Sequence, residues 1–276
     1  MMIKSRRSFL KVAGIAAIGM GAAPVMNLAA SESQGHGSAG PEITRNEEAM
    51  HAERWGMVID TSKLNEEVVE AVKEACHKAH NVPDFTMEPN LEKYPGTRPV
   101  REGQEIKWIW HEHFHYAFPD KEDEFLAEKF HDLPFLVTCN HCKNAPCVQA
   151  CPTQATFKRE DGIVIMDYHR CIGCRFCMAA CPYGSRNFNF RDPRPFIEET
   201  APGFPTRTKG VVEKCNLCAE RLAKGEQPHC VEASEGAIVV GDLEDPDSEI
   251  RHLLAEHYTI RRKQSLGTEP SVYYIV

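Results

Sequence analysis

The chain carries twelve cysteines in a pattern that leaves few of them isolated. Four lie in "CNHCKNAPCVQACP", residues 139–152, and four more in "CIGCRFCMAACP", residues 171–182. Cys215 and Cys218 form "CNLC", Cys230 follows, and Cys76 stands far upstream. Thiolates are soft ligands, so groups of four suit a tetrahedral zinc ion or an iron-sulfur cluster. Spacing separates these two. Zinc motifs commonly set two CxxC pairs a dozen or more residues apart, whereas CxxCxxCxxxCP gathers four thiols into one short run.

That run is the arrangement of bacterial ferredoxins, in which three thiolates hold one [4Fe-4S] cube and the fourth reaches a neighbouring one. A tight loop can wrap three corners of a cube, while the last cysteine begins a segment pointing away. This assigns Cys171, Cys174, Cys177 and Cys151 to one cluster, and Cys139, Cys142, Cys147 and Cys181 to another. Pro152 and Pro182 each redirect the backbone just after the last ligand. The two runs share their first spacing and their ending, which makes them an internal repeat. Six disulfides or three zinc sites fit these spacings poorly. Cys215, Cys218 and Cys230 then lack a fourth partner. By arithmetic it is Cys76, if Cys76 belongs to a cluster at all; the other reading is a small buried hydrophobe.

The surrounding elements must position these thiols. "RWGMVID", 54–60, reads as a short strand, and residues 64–80 read as a helix with Val68, Val72 and Cys76 on one face. The alternation of "IKWIWHEHFHY", 106–116, predicts a strand. Further strands are expected at 161–167, between the two cysteine runs, and at 237–242. Pro193, Pro195, Pro202 and Pro205 mark a loop, and a helix is expected through "EIRHLLAEHY". The fold class implied is α+β, with tandem ferredoxin-like units carrying long loops around the clusters.

Residues 1–30 hold Lys4, Arg6, Arg7 and Lys11, then a glycine-broken apolar run and small residues at Ala29 and Ala30. They read as a twin-arginine export signal, with a retained membrane anchor as the other reading. Residues 31–53 read as a flexible lead-in, and residues 54–276 as the electron-transfer domain, with tandem cluster units over about 139–190. Losing 1–30 removes four cations and no anion, taking the net charge from -8 to -12. A protein this acidic is a poor nucleic-acid binder.

The pattern resembles the four-cluster ferredoxin family, the electron-transfer subunits that accompany molybdopterin oxidoreductases, nitrite reductases and polysulfide reductases. The resemblance runs over about 54–276 and includes "WGMVID", "CNHCKNAPCVQACP", "CIGCRFCMAACPYGSRNFNF", "VEKCNLCAERLAKGEQPHCVEA" and "LGTEPSVYYI". The family's early CxxCxxC run is missing here, leaving Cys76, and Ser234 stands where a last cysteine is expected. In the family's ligand exchange these losses fall on one cluster. The resemblance therefore implies three [4Fe-4S] clusters, the third held by Cys76, Cys215, Cys218 and Cys230. A three-cluster exported chain is most similar to the periplasmic iron-sulfur subunit of the membrane complex associated with dissimilatory sulfite reduction.

Three cubes in one chain read as a relay. The resemblance implies a polytopic quinone-interacting membrane subunit and a periplasmic multihaem cytochrome c as partners, with membrane association only through them. The alternatives are a subunit of another exported oxidoreductase of polysulfide, nitrite or molybdopterin type, or an iron-sulfur sensor or structural metal protein. No CxxCH motif is present for haem attachment, and no Ser/His/Asp arrangement can be placed, so no catalytic residue is expected. His111, His113 and His115 could share a strand face, either as a metal site or as plain exposed surface. His141, His169 and His229 lie near ligands in sequence and could donate hydrogen bonds to them. Lys214 and Arg175 could offset cluster charge or simply face solvent.

Overall fold

The structure, a computed structural model, describes residues 46–98, 103–122, 125 and 135–276. Residues 1–30, read above as an export signal, and most of the expected lead-in lie outside the described residues. Strand β1 (Trp55–Asp60) is buried along almost its whole length, as expected of "WGMVID". Asp60 ends it, its carboxylate accepting from the Ser62 amide and capping a 3₁₀ turn over Thr61–Lys63. Helix α1 (Glu66–Ala79) follows. The Asn65 side chain accepts from the Val68 amide, satisfying one of the unpaired N–H groups of the first turn. Val68, Val69, Val72 and Cys76 form its buried stripe.

The segment 106–116 departs from the predicted strand. Only β2 (Ile109–Glu112) is extended, and α2 (Phe114–Ala117) turns immediately afterwards. Phe114 packs on Phe118 and Phe135. That aromatic packing favours a helical turn, which a two-residue alternation does not reveal. Strand β3 (Phe135–Thr138), a further departure from the expected elements, pairs antiparallel with β2 and leads directly into Cys139.

The first cysteine run contains α3 (Pro146–Gln149), followed by the hairpin of β4 (Thr156–Lys158) and β5 (Val164–Met166). The second run contains α4 (Phe176–Ala180), then β6 (Asn187–Phe188), which pairs with β7 (Val212–Glu213) across the proline loop. Helices α5 (Ala219–Leu222) and α6 (His229–Glu232) carry the third group. Strand β8 (Ile238–Asp242), helix α7 (Glu249–Glu256), β9 (Thr259–Ile260) and β10 (Val272–Ile275) complete the described chain.

The largest sheet has the order β8-β1-β10-β9. Strand β10 runs parallel to β1, with Met57 opposite Val272, and β8 runs antiparallel on the other side. The main core lies between this sheet, α1 and the β2-β3 pair, and includes Ile59, Val72, Trp108, Phe135 and Tyr274. A second cluster of buried side chains is built largely from thiols and their neighbours: Cys142, Cys147, Cys177, Ala155, Val164 and Tyr183. The fold is thus mixed α/β with several small sheets and short helices, consistent with a ferredoxin-like domain. Among the described residues, no helix is long and apolar enough to cross a membrane.

Candidate metal centres

Each cysteine group opens on a CxxC loop, at 139–142, 171–174 and 215–218, and each of these takes a left-handed conformation at its third residue. His141 has φ 39°, Gly173 φ 71° and Leu217 φ 57°. Non-glycine residues rarely adopt positive φ and do so at a cost, so recurrence in all three loops marks one kind of loop used three times. At Gly173 the requirement is also steric, since a Cβ would lie 2.5 Å from the Gly210 carbonyl oxygen. The next cysteine of each group sits in a one-turn helix: Cys147 in α3, Cys177 in α4 and Cys230 in α6. The sequence repeat shows two such units, and the backbone adds the third.

All twelve cysteines are free thiols. Cys139, Cys142, Cys147 and Cys181 line one small pocket, together with Asn140, Val164, Tyr183 and Arg186. Burial pushes the Cys142 thiol up to about 12, and the neighbouring Cys139, Cys147 and Cys181 add to the rise. Burial likewise raises Cys181, against the N–H groups of Tyr183 and Ser185, which donate to its sulfur. The Asn140 side-chain amide is buried at the same place and has no partner among the described residues.

In the second group, burial raises Cys177; Arg186 opposes the rise, while Cys147 and Cys171 add to it. Cys151 and Cys171 pack against the same side-chain cluster, and Cys174 lies partly exposed in the loop before α4. At Cys151, burial pushes the thiol up, but the Thr156 amide and the Thr153 hydroxyl donate to it and bring it below its ordinary value.

The third group includes Cys76. Its thiol is buried, and burial raises it well above the usual range, with Cys215, Cys218 and Cys230 as its thiol neighbours. Burial pushes Cys230 up to about 12, with Cys215 adding to it. The C-terminal end of α1 therefore delivers Cys76 to the group that lacked a fourth member. Cys139 of the first group also raises Cys215, and Cys147 raises Cys177. The first group therefore neighbours both of the others.

Ser234 follows α6 as Cys151 follows α3. The Ser234 amide donates to Val231 and the Cys151 amide to Val148, each at 3.2 Å. The Ser234 hydroxyl donates to the Val231 carbonyl and accepts from the Ile238 amide, so it fixes the turn into β8. Helix α1 packs against α6, and Val68, Val69 and Val72 of its first turns are buried in the core. Apolar side chains occupy the region where the missing early thiols are expected.

The surrounding polar groups sort themselves by burial. Lys214 is 1% exposed, and its ammonium donates to the Val164 and Cys215 carbonyls. Arg175 is exposed and lies over the Phe188 and Phe190 rings. His141 accepts from the Val164 amide through Nδ1, and burial, aided by Lys214 and Arg186, holds it well below its ordinary value, hence neutral. His229 meets Arg221, and His169 is exposed. His111, His113 and His115 have neighbouring rings, but His111 lies in β2, His113 at the junction and His115 in α2. Among the described residues, their ring nitrogens do not converge as a metal-binding group.

Two features are not foreshadowed by the cysteine motifs. His80 sits in the wall of the third group, where its Nδ1 lies 2.8 Å from the Cys76 carbonyl and its Nε2 lies 2.9 Å from Glu220. It also stacks on Trp108, and its position four residues after Cys76, at the end of α1, is the one available signal. Arg186 donates to the Cys147 sulfur at 3.1 Å; it lies five residues after Cys181, beyond the range of any spacing motif. Four thiols per group, N–H donors aimed at sulfur and an unpartnered amide in the first cavity make a donor set that fits an iron-sulfur cube.

Comparison with known proteins agrees with this chemistry. Residues 133–193 match the 4Fe-4S dicluster domain family. The Hdr-like menaquinol oxidoreductase iron-sulfur subunit 1 of Archaeoglobus fulgidus is 37% identical over 98% of this chain and 97% of its own length. The menaquinone reductase iron-sulfur cluster-binding subunit of Nitratidesulfovibrio vulgaris is 32% identical over 80% of this chain and 88% of its own length. The B component of the polysulfide reductase of Wolinella succinogenes is 41% identical over 50% of this chain and 64% of its own length. With a relative matched along nearly its whole length, the chain belongs to the family of iron-sulfur electron-transfer subunits of respiratory oxidoreductases.

Proposed function

We propose that the chain holds three [4Fe-4S] clusters and relays electrons through them in a respiratory complex. The observation that carries this reading is the position of Cys76 among Cys215, Cys218 and Cys230, because it gives every thiol a place in a group of four. Bound there, the cubes supply one-electron steps without an organic substrate. The chain's own residues hold them, exclude water and fix their order. Ligands Cys139, Cys142, Cys147 and Cys181 form the middle site. Cys171, Cys174, Cys177 and Cys151 form a partly exposed site on one side, and Cys76, Cys215, Cys218 and Cys230 a buried site on the other. Residues 54–276 act as one electron-transfer domain.

The names of the full-length relatives, menaquinol oxidoreductase and menaquinone reductase, support a quinone-interacting membrane subunit as one partner. A polysulfide reductase component among the relatives supports the broader class of respiratory reductases rather than sulfite respiration in particular. Within that class, a periplasmic multihaem cytochrome c as the second partner is the narrower form of the same proposal. Arg6 and Arg7 support export by the twin-arginine route, with residues 1–30 as the signal.

The test is anaerobic iron and acid-labile sulfide content, read with electron paramagnetic resonance after reduction. About twelve of each per chain are expected for three cubes. About eight of each, or zinc at the third group, would reduce the protein to a two-cluster ferredoxin with a structural domain. The isolated chain should exchange electrons with artificial dyes and turn over no sulfur compound.

A further inference from the structure

Arg186 is 4% exposed, and its hydrogen bonds go to neutral groups and sulfur. Its Nη2 donates to Cys147 Sγ at 3.1 Å, and its Nη1 donates to Thr156 Oγ1 at 3.0 Å and to Met166 Sδ at 3.2 Å. Its charge also bears on Cys177 and Cys139. Among the described residues no carboxylate pairs with it. The contrast within the same molecule is Arg207, also buried, whose guanidinium meets the Glu213 carboxylate at 2.5 Å. A buried cation without a counter-ion is strongly disfavoured, so the counter-ion of Arg186 must come from the sulfur groups around it. Cys147 belongs to the middle site and Cys177 to the partly exposed one, so a single guanidinium faces both.

Its placement is fixed on each side. The chain turns at Gly184, where φ is +67°, Ser185 Oγ donates to the Thr138 carbonyl at 2.9 Å, and Asn187 enters β6. Lys214, the other buried cation near the thiols, spends its hydrogen bonds on backbone carbonyls. Arg186 therefore differs in donating directly to a ligand sulfur.

We propose that Arg186 is a positioning residue that raises the reduction potentials of the middle and partly exposed clusters together. This rests on the cluster reading above. Reduction adds one electron to a cube and makes its charge more negative; a fixed cation and an N–H···S bond both favour that form. No proton or atom is transferred, and the electron comes from the reductant.

The experiment is an anaerobic redox titration of the full chain, poised with dithionite and mediator dyes and read by electron paramagnetic resonance. It compares the unsubstituted protein with Arg186→Gln and Arg186→Lys, with iron content measured on each. Arg186→Gln is expected to lower two of the three midpoint potentials by at least a tenfold change in the reduction equilibrium, about 59 mV for one electron, leaving the third in place. Arg186→Lys keeps the charge and should lie nearer the unsubstituted value. Unchanged potentials in a fully loaded Arg186→Gln protein would overturn the proposal. If the variants do not retain iron, ¹⁵N-arginine labelling of the unsubstituted chain decides: pulsed resonance should show nitrogen coupling to a reduced cluster, and its absence overturns the proposal. An unsubstituted chain without cluster signals would instead overturn the cluster reading, and this inference with it.

Discussion

Cys76 and Ser234 show how one side chain can be read in two ways and how contacts decide between them. Cys76 has the burial of an ordinary small hydrophobe, yet Cys215, Cys218 and Cys230 are near enough to act on its charge. Cys76→Ser should therefore lower iron content and alter one resonance signal while leaving the other two, measured on the anaerobically purified chain. Ser234 sits where a ligand is expected from the family pattern, yet its hydroxyl is engaged by Val231 and Ile238. Ser234→Ala should cost about 1–3 kcal/mol, because the buried Ile238 amide loses its acceptor, with iron content unchanged; chemical denaturation and iron analysis test the two halves separately. The eight thiols of 139–181 are legible in the sequence because spacing encodes a loop's reach around a cube, whereas Cys76 has no spacing signal and is reached only by elimination and by the family resemblance. His80 and Arg186 are not legible, since a hydrogen bond to a thiol or its backbone leaves no periodic trace. Lys214 stands out beside Cys215, but its burial comes from the β5 carbonyl of Val164 that it reaches, a contact that no local pattern announces.

Among the elements, those with a strong period or a cap are readable. Helix α1 begins at Asn65 and buries its valine stripe, and β1 and β8 lie where their apolar runs predict. The segment 106–116 breaks its alternation because Phe114 turns inward to meet Phe118 and Phe135, and β3 is a run of only four residues, FLVT, too short for its period to separate strand from buried helix. The junction of these elements is polar. Glu213 in β7 accepts from Trp108 Nε1 at 2.9 Å and from Asn189 Nδ2 at 2.5 Å, and pairs with Arg207. Arg207 in turn donates to the carbonyls of His80 and Asn81, at the end of α1. Glu213 thus ties the proline loop to the helix that delivers Cys76. Glu213→Gln leaves a buried guanidinium without its counter-charge and should destabilise by about 3–5 kcal/mol. A loss under about 1 kcal/mol in equilibrium unfolding, on the scale of an exposed ion pair, would show the pair to be dispensable.

Among the described residues, the two larger clusters of buried side chains differ in character. One is mainly aromatic and aliphatic, around Trp108, Phe135 and Tyr274, though it takes in Cys76 and Cys230; the other depends largely on Cys142, Cys147 and Cys177. Metal removal should act unequally on them. After anaerobic chelation, hydrogen exchange is expected to lose protection first across residues 139–188, while β1, β8 and β10 retain it longer. Equal loss in both regions would mean that the cores form one cooperative unit. The sheet itself sets a condition on timing. Strand β1 has β10 on one side and β8 on the other, and both emerge from the ribosome only after every cysteine has been made. A nascent chain therefore exposes its thiols before the strand that begins the domain has any neighbour, so the order of synthesis leaves the sulfur ligands in need of protection until the sheet can close.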